Sequence, residues 1–327
     1  MNILFLIGNG FDLNLGMNTR YSDFYEYYKA INSSNPKILN LKNEFSSDIQ
    51  NWADLELALG LYSKNWENLE DFDEVFEDVK DKLADFLFEE EKKFESKKLN
   101  KDKFFEYLIY PERQFSKTDK DLLNVFKSKW RGKQWNIDLI TFNYTNLIES
   151  ILGNNRINIT LGPHKNGAPI ILKRISHIHG YLSEDMVLGV NDLSQIENKA
   201  LGNIEDFREA FIKQECNKVQ KHKRELEFEK AITSSNLIYI FGSSIGETDS
   251  IWWELIGSQL KRDFRLVIFT KGEEIKARHS YKRARVERAM KNFFFERAKI
   301  SEEERQPLME KVFIGINSTM FGGLAES

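Results

Sequence analysis

The sequence contains little cysteine or proline, and each shortage excludes a class of protein. Cys216 is the only cysteine, so the chain can form neither an intrachain disulfide nor a cysteine-based zinc site. Its charged neighbours Lys213, Glu215 and Lys218 predict a solvated segment and not a catalytic thiol. Five prolines and 18 glycines among 327 residues argue against long flexible linkers. We therefore expect one integrated domain over residues 1–327.

Long apolar runs and an excess of basic charge are also absent. No window is long enough to span a bilayer, and the apolar start at Ile3 is too short for a signal peptide and lacks a basic region. We therefore expect a cytoplasmic protein with no membrane partner. The net charge of −4 argues against a broad electrostatic contact with nucleic acid and leaves a local basic patch open.

The N-terminal stretch combines a buried strand with a glycine turn. Ile3 to Ile7 are all apolar, as is typical of a strand in a parallel sheet with both faces covered. Gly8 and Gly10 end this run, and a helical pattern follows. Strand, glycine turn and helix form a layout that can place a phosphate against backbone N–H groups, because glycine lets backbone approach a ligand. The alternative is that the glycines only turn the chain, since Leu13 breaks the dinucleotide fingerprint and no Walker lysine follows.

A second strand is predicted from Ile137 to Phe142, and polar residues follow it directly. In an open α/β sheet, ligands bind just past the carboxyl ends of the strands, where Asn143 and Thr145 are expected. The Asn143 amide offers a donor and an acceptor, which suits a ribose hydroxyl or a water. The alternative is that Asn143 or Thr145 caps the next helix.

The pattern of apolar strand, glycine turn and helix occurs again near residue 241. An apolar strand over residues 236–241 is followed by Gly242, Ser243 and Ser244, and then by a helix. The two serines can donate to phosphate or ribose oxygens, and Asp249 either caps the helix or accepts from a ribose hydroxyl. Ser243 is not in a G-x-S-x-G elbow, so a hydrolase triad is not expected.

Two histidines precede Gly180. Alternation predicts that His177 and His179 lie on one side of a strand that ends at Gly180. A histidine at a strand end, with glycine opening the space beside it, is well placed as a general base. For His177 we expect a packed and hydrogen-bonded core position. No third ligand is evident beside the pair, so we predict no metal site.

The segments between these strands are predicted to be helical. Residues 39–133 form a large helical insertion, in which Leu69 to Phe94 is one long amphipathic helix and Asp54 and Glu56 point apart. This insertion is expected to carry partner or substrate specificity and not chemistry. Val187 to Val190 predicts a short strand. Residues 195–233 form a second helical segment, in which Ile204 to Ala231 is helical and its charge run is read as a solvated face.

Taken in order, the motifs resemble the AbiH-type bacteriophage abortive infection family. They are Ile7-Gly8-Asn9-Gly10-Phe11-Asp12-Leu13, Tyr21-Ser22-Asp23-Phe24, Trp52-Ala53-Asp54-Leu55-Glu56, Thr141-Phe142-Asn143-Tyr144-Thr145, His177-Ile178-His179-Gly180 and Phe241-Gly242-x-Ser244-x3-Thr248-Asp249. The same frame looks like a remote sirtuin-type Rossmann fold. The resemblance implies an α/β protein with a Rossmann-like, sirtuin-like parallel sheet, flanked by helices and carrying a large helical insertion.

The resemblance also implies roles for individual residues. His179 would be the base and Asn143 would position the ribose or a water. The implied cofactor-binding residues are Gly8, Asn9, Gly10, Asp12, Thr145, Gly242, Ser243, Ser244 and Asp249. Asp12 and Thr145 depart from the sirtuin pattern, and the four-cysteine zinc module is absent, so peptide deacetylation is not expected.

The function that the resemblance implies is antiphage defence through hydrolysis of NAD or a related nucleotide, because loss of NAD disables the host cell. One alternative is a nucleotide sensor without turnover that acts through a partner. Another is a nuclease in which Asp12, Asp23, Asp54, Glu56 and His179 converge on Mg²⁺. The expected ligand is the nucleotide, while a phage-derived trigger, a second copy of the chain and nucleic acid are left open as partners.

Overall fold

The computed structural model describes residues 1–47, 54–94, 99–153, 157–163 and 167–324. Its strands form one sheet in the order β3-β4-β2-β1-β5-β6-β7, with only the β3–β4 pair antiparallel. The strands are β1 (Asn2–Ile7), β2 (Trp135–Thr141), β3 (Ile157–Pro163), β4 (Pro169–His177), β5 (Leu237–Phe241), β6 (Arg265–Thr270) and β7 (Val312–Ile316). The prediction of an α/β protein with a sheet flanked by helices is confirmed, and the sheet predicted as parallel is parallel except at β3.

Helices fill the connections between the strands. Between β1 and β2 lie α1 (Gly10–Asn14), α2 (Tyr21–Ala30), α3 (Pro36–Ser47), α4 (Leu55–Tyr62), α5 (Leu69–Phe94), α6 (Lys101–Ile109) and α7 (Lys117–Ser128). After β2 come α8 (Leu147–Leu152), α9 (Lys199–Gly202), α10 (Glu205–Phe211), α11 (Lys213–Val219) and α12 (Arg224–Ser234). The last three are α13 (Ser250–Gln259), α14 (Tyr281–Arg297) and α15 (Glu302–Leu308). The bounds of α5 are those expected for the long helix, whereas Trp52 and Ala53 of the predicted motif lie outside the described residues.

The central strands are apolar throughout because both faces of the sheet are covered. Phe5 and Tyr239 stack on one face, in a core shared with α6 and α7. Leu4 and Ile238 point to the other face, where they pack with α12 and α13. Burial on two sides explains why β1 and β5 read as continuous apolar runs and not as alternating ones.

The chain order of the parallel strands reverses beside β1. From β1 the chain adds β2 and β4 on one side, and it then crosses to add β5, β6 and β7 on the other side. The carboxyl ends of β1 and β5 therefore flank a crevice, which is the place where open α/β sheets bind ligands.

Helices α2 to α5 form an aromatic core of their own above this edge of the sheet. Phe24, Phe45 and Phe72 are fully buried there and pack together with Phe207 and Phe211 of α10. This second core holds the start of α2 and the start of α4 over the ends of the strands.

The structure corrects three local predictions. Strand β4 ends at His177, so His179 lies in the turn that follows and the two histidines do not share one side of a strand. The segment from Val187 to Val190 is not a strand, because only Val190 forms a bridge, to Ile212. That bridge holds Ile212 in an extended conformation (φ −96°, ψ 114°), so the predicted helical stretch from Ile204 to Ala231 is interrupted between α10 and α11.

None of the helices within the described residues is both long enough and apolar enough to cross a bilayer.

Candidate functional site

A cavity of about 720 Å³ opens at the carboxyl ends of β1, β2 and β5. Its volume lies in the range of small-molecule sites. All of the predicted site residues line it, namely Gly8, Asn9, Gly10, Asp12, Asn143, Thr145, His179, Gly242, Ser243, Ser244 and Asp249. The structure therefore brings together residues that are spread over most of the chain.

The two glycine turns pack directly against each other at the floor of the cavity. The Gly8 N–H donates to Phe241 O at 2.9 Å and the Gly10 N–H donates to Gly242 O at 2.7 Å. A Cβ on Gly8 would lie 2.7 Å from Gly242 O, and a Cβ on Gly10 would lie 2.5 Å from Gly242 Cα. The lack of side chains is thus required by contact between two backbones, in addition to any contact with a ligand.

Both polar atoms of the Asn9 side chain form hydrogen bonds within the protein. Its Nδ2 donates to Thr19 O at 2.7 Å, and the Thr19 hydroxyl donates back to Asn9 Oδ1 at 2.6 Å. This pair ties the glycine turn to the loop before α2. Helix α1 spans only Gly10–Asn14, so its dipole adds little to the site.

Asp12 is buried, and its two carboxylate oxygens accept hydrogen bonds from side chains that follow β2. Asn143 Nδ2 donates to Oδ1 at 2.8 Å, and Thr145 Oγ1 donates to Oδ2 at 2.6 Å. Burial raises the pKa of Asp12 to about 7, although the hydrogen bonds from Thr145 and Asn143 oppose the rise. Asp12 therefore titrates near neutral pH.

Asn143 is fixed from both its side chain and its backbone. Its Nδ2 also lies 3.3 Å from Gly8 O, and its carbonyl oxygen lies 2.7 Å from His177 Nδ1. Asn143 Oδ1 is buried and has no hydrogen-bond partner within the described residues. Asn146 occupies the cap position of α8, so neither Asn143 nor Thr145 caps that helix.

His177 is the packed histidine that the sequence predicted. It is buried, and its Nε2 lies 3.1 Å from Glu149 Oε1 while its Nδ1 faces Asn143 O. His177 therefore supports the turn after β2 and does not line the cavity.

His179 is the histidine on the cavity wall. Its Nε2 lies 3.2 Å from Asp249 Oδ1 without the alignment of a hydrogen bond, so within the described residues both ring nitrogens lack a hydrogen-bond partner. Burial lowers the pKa of His179, the charge of Lys213 lowers it further, and Asp249 opposes both. A neutral imidazole in contact with a carboxylate can accept a proton.

Lys213, which the sequence placed in a solvated segment beside Cys216, is the centre of a buried ionic cluster. Its Nζ contacts Glu56 Oε2 at 2.7 Å, Asp249 Oδ1 at 3.0 Å and Thr248 O at 3.3 Å. Burial opposes the charge of Lys213, but Asp249 and Glu56 outweigh it and raise the Lys213 pKa. Burial likewise opposes ionisation of Asp249, but Lys213 and His179 hold its pKa below the ordinary value.

The helical insertion contributes carboxylates to the same wall. Asp54 caps α4 by accepting from Leu57 N at 3.1 Å, and Glu56 Oε1 accepts from Gly189 N at 3.1 Å. Burial raises the pKa of Glu56 to about 7 against the pull of Lys213. Burial also raises the pKa of Asp54. The insertion therefore supplies charged groups to the cavity, which the sequence reading had assigned to specificity alone.

The carboxylates named for a nuclease do not assemble as that alternative requires. Asp23 accepts from Arg20 N at 3.1 Å and does not line the cavity, while Asp12 is held by Asn143 and Thr145. Across the described parts of the chain, no group of three His, Cys, Asp or Glu side chains is arranged to hold a metal ion.

The remaining wall and the mouth carry hydroxyls and cations. Ser243 Oγ accepts from Ile245 N at 3.1 Å, while Ser244 is exposed. Arg20 and Lys271 are exposed and line the mouth. The cavity is therefore acidic around His179 and Asp249 and has cations at its opening.

A family model described as bacteriophage abortive infection AbiH matches residues 4–270, which include every residue of the cavity discussed above except Lys271. No curated protein matches the chain.

Proposed function

Because the chain belongs to the AbiH family of bacteriophage abortive infection proteins, we propose that it is an antiphage defence protein whose cavity hydrolyses NAD or a related nucleotide. His179 is the general base, and Asn143 positions the ribose or the attacking water. The observation that carries the proposal is the position of the His179 imidazole, buried beside Asp249, in the same cavity as the two glycine turns.

The arrangement of strands supports a dinucleotide ligand. The parallel strands run in the order β4-β2-β1-β5-β6-β7. Numbered along the chain, this is the 3-2-1-4-5-6 order of Rossmann folds, which bind dinucleotides across the crevice where the order reverses. Gly8 and Gly242 lie at this crevice, after β1 and β5.

The charges on the wall support departure of a cationic ring. The nicotinamide of NAD is positively charged, and the sugar gains oxocarbenium character as the glycosidic bond breaks. Asp249 is ionised, and Asp54 and Glu56 line the same cavity as His179. Carboxylates fixed in a buried wall stabilise such a developing cation more strongly than water does.

In the proposed reaction, a water oxygen bonds to the ribose C1′ while the C1′–N bond breaks. The bonding electron pair returns to the nicotinamide nitrogen, which becomes neutral. His179, whose lowered pKa keeps it unprotonated near neutral pH, takes the proton of the water. The products are nicotinamide and ADP-ribose.

Asp12 is compatible with a diphosphate in this site. A charged carboxylate would repel it, but the pKa of about 7 leaves Asp12 readily protonated. Both oxygens are also turned toward Asn143 and Thr145. Asp12 acts in the proposal by orienting Asn143, so that the free Oδ1 of that amide receives the ribose or the water.

The test is an assay in which purified protein is incubated with NAD and the release of nicotinamide is measured by chromatography. We expect turnover that His179→Ala and Asn143→Ala each reduce by about 100-fold or more. His222→Gln is the matched control, because that histidine pairs with Asp185 and does not line the cavity. Calorimetric binding of NAD without product would overturn the hydrolysis and favour a nucleotide sensor. Divalent-dependent cleavage of RNA or DNA would overturn it in favour of a nuclease.

A further inference from the structure

A cationic segment of the chain contributes residues to the cavity wall. Residues 271–291 carry eight Lys or Arg against three Glu, in a chain whose net charge is −4. They include Lys271, which lines the cavity, and the first half of α14, which reaches the cavity wall through Met290. Positive charge is thus concentrated in one segment of an otherwise acidic protein.

Three of these cations share one face of α14. Lys282, Arg285 and Arg288 follow one another at intervals of three residues, so they lie side by side along about 9 Å of the helix. All three are exposed, and within the described residues none has an ion-pair partner. We call these three residues the α14 cationic face.

The glutamate in the first half of α14, Glu287, does not neutralise the α14 cationic face. Glu287 lies on another side of α14, where it pairs with Arg283 at 3.2 Å. Tyr281 is 57 % exposed, and its ring lies 5.3 Å from the Arg285 guanidinium. The face therefore combines cations that have no ion-pair partner within the described residues with an exposed aromatic ring, one side of which faces Arg285.

We propose that the α14 cationic face binds the phosphodiester backbone of single-stranded nucleic acid, with Tyr281 available for stacking on a base. Free cations along a groove or helix, together with an aromatic platform, are what sequence-tolerant single-strand binding requires. The helix that carries this face reaches the cavity wall through Met290.

The chemistry of the helix favours nucleic acid over a lipid surface. A helix that lies on a membrane inserts bulky apolar side chains opposite its cations. Of the large apolar residues of α14, Phe294 and Phe295 are buried in the core of the protein, and the partly buried Met290 and Phe293 pack against that core. The exposed part between Tyr281 and Ala289 offers alanine and charge instead.

The test is fluorescence anisotropy of the full chain with a labelled single-stranded RNA, and separately a DNA, of about 20 nucleotides and mixed sequence. We expect binding that weakens between about 50 and about 200 mM salt. Lys282→Gln/Arg285→Gln/Arg288→Gln should weaken binding by roughly tenfold or more and reduce the slope of log Kd against log salt by about 2. Arg285→Lys/Arg288→Lys, which keeps the charge, should retain most of the binding.

The matched control is Lys64→Gln/Lys117→Gln/Lys230→Gln, which removes three exposed charges from other surfaces. It should leave the affinity within about twofold of the wild type. The proposal is overturned if the wild type binds neither strand, or if the control variant loses as much affinity as the α14 variant. Binding to phosphatidylserine vesicles in the absence of oligonucleotide binding would assign the face to a membrane and overturn it too. These outcomes are independent of whether NAD is hydrolysed.

Discussion

The backbone N–H of Gly10 donates to the carbonyl oxygen of Gly242 at 2.7 Å, which joins the turn after β1 to the turn after β5. Gly242 has a φ of 70°, and a Cβ there would lie 2.7 Å from Phe11 N. This contact forms the floor of the cavity. The glycines are therefore needed for the packing of the two turns, whether or not a ligand is bound.

We predict that Gly10→Ala and Gly242→Ala each lower the free energy of unfolding by about 1–3 kcal/mol. The loss should be larger at Gly242, because its positive φ adds backbone strain to the steric clash. Urea denaturation measures the difference. Gly272→Ala is the control, since a Cβ there meets nothing within 4 Å. Equal stability of Gly10→Ala and Gly272→Ala would mean that the two turns separate easily.

The apolar runs and the glycines were sufficient to predict these strands and turns. Residues 3–7 and 236–241 have the composition of strands that are buried on both sides, and Asn2–Ile7 and Leu237–Phe241 are strands in the structure. The contact between Gly10 and Gly242 could not be predicted, because it depends on β5 pairing with β1 across more than two hundred residues of intervening chain. Local pattern carries no information on such pairing.

Asp12 should make the stability of the protein depend on pH. Its ordinary pKa is 3.8 and its pKa in the folded state is about 7. Between these values the unfolded chain releases the Asp12 proton and the folded chain keeps it, so stability falls as the pH rises from about 4 to about 7 and then levels off. Glu56, with a pKa raised to about 7, adds a change of the same sign.

Asp12→Asn removes the contribution of Asp12 to the pH dependence of stability and leaves that of Glu56. Between pH about 5 and about 8 we expect the wild type to lose on the order of 2 kcal/mol more stability than Asp12→Asn, as measured by urea unfolding at each pH. Asp81→Asn, at an exposed position, is the control and should follow the wild type. If Asp12→Asn also follows the wild type, the carboxyl group is already ionised in the folded protein at low pH.

Lys213 should be essential to stability. Lys213→Met leaves Glu56 and Asp249 without their cation in a buried wall, so we expect a loss of about 3–5 kcal/mol in the free energy of unfolding. Glu56→Gln/Lys213→Met should recover part of this loss, because the glutamine oxygen can still accept from Gly189 N. A double-mutant cycle measures the coupling.

Lys129→Met is the comparison for Lys213→Met. Lys129 pairs with Asp263 at 2.8 Å, but both side chains are about half exposed, so the loss should be at most about 1 kcal/mol. Equal losses for the two lysine variants would show that Lys213 reaches solvent. Sequence reasoning missed Lys213 because it stands among many charged residues between Ile204 and Ala231. The break at Ile212 makes Lys213 the first residue of α11, and its side chain points inward to Glu56 and Asp249.

His179 and Asp249 provide the sharpest test of the site. Burial and Lys213 hold the pKa of His179 below 6.5, whereas Asp249 opposes them. Asp249→Asn removes the anion that favours the imidazolium, so the pKa of His179 should fall further. NMR titration of labelled histidine rings, assigned with His179→Ala, measures both values without relying on activity.

Asp249→Asn should also affect the proposed hydrolysis in two ways. The acid limb of the pH profile of kcat/KM should move to lower pH, because the base stays unprotonated over a wider range. At the same time kcat should fall by about 100-fold or more, because the imidazolium formed when His179 takes the proton loses its counter-charge. Asp263→Asn, which removes an exposed carboxylate, should leave the limb and kcat unchanged. An acid limb that stays in place in Asp249→Asn, together with a His179 ring whose pKa does move, would show that another group is the base.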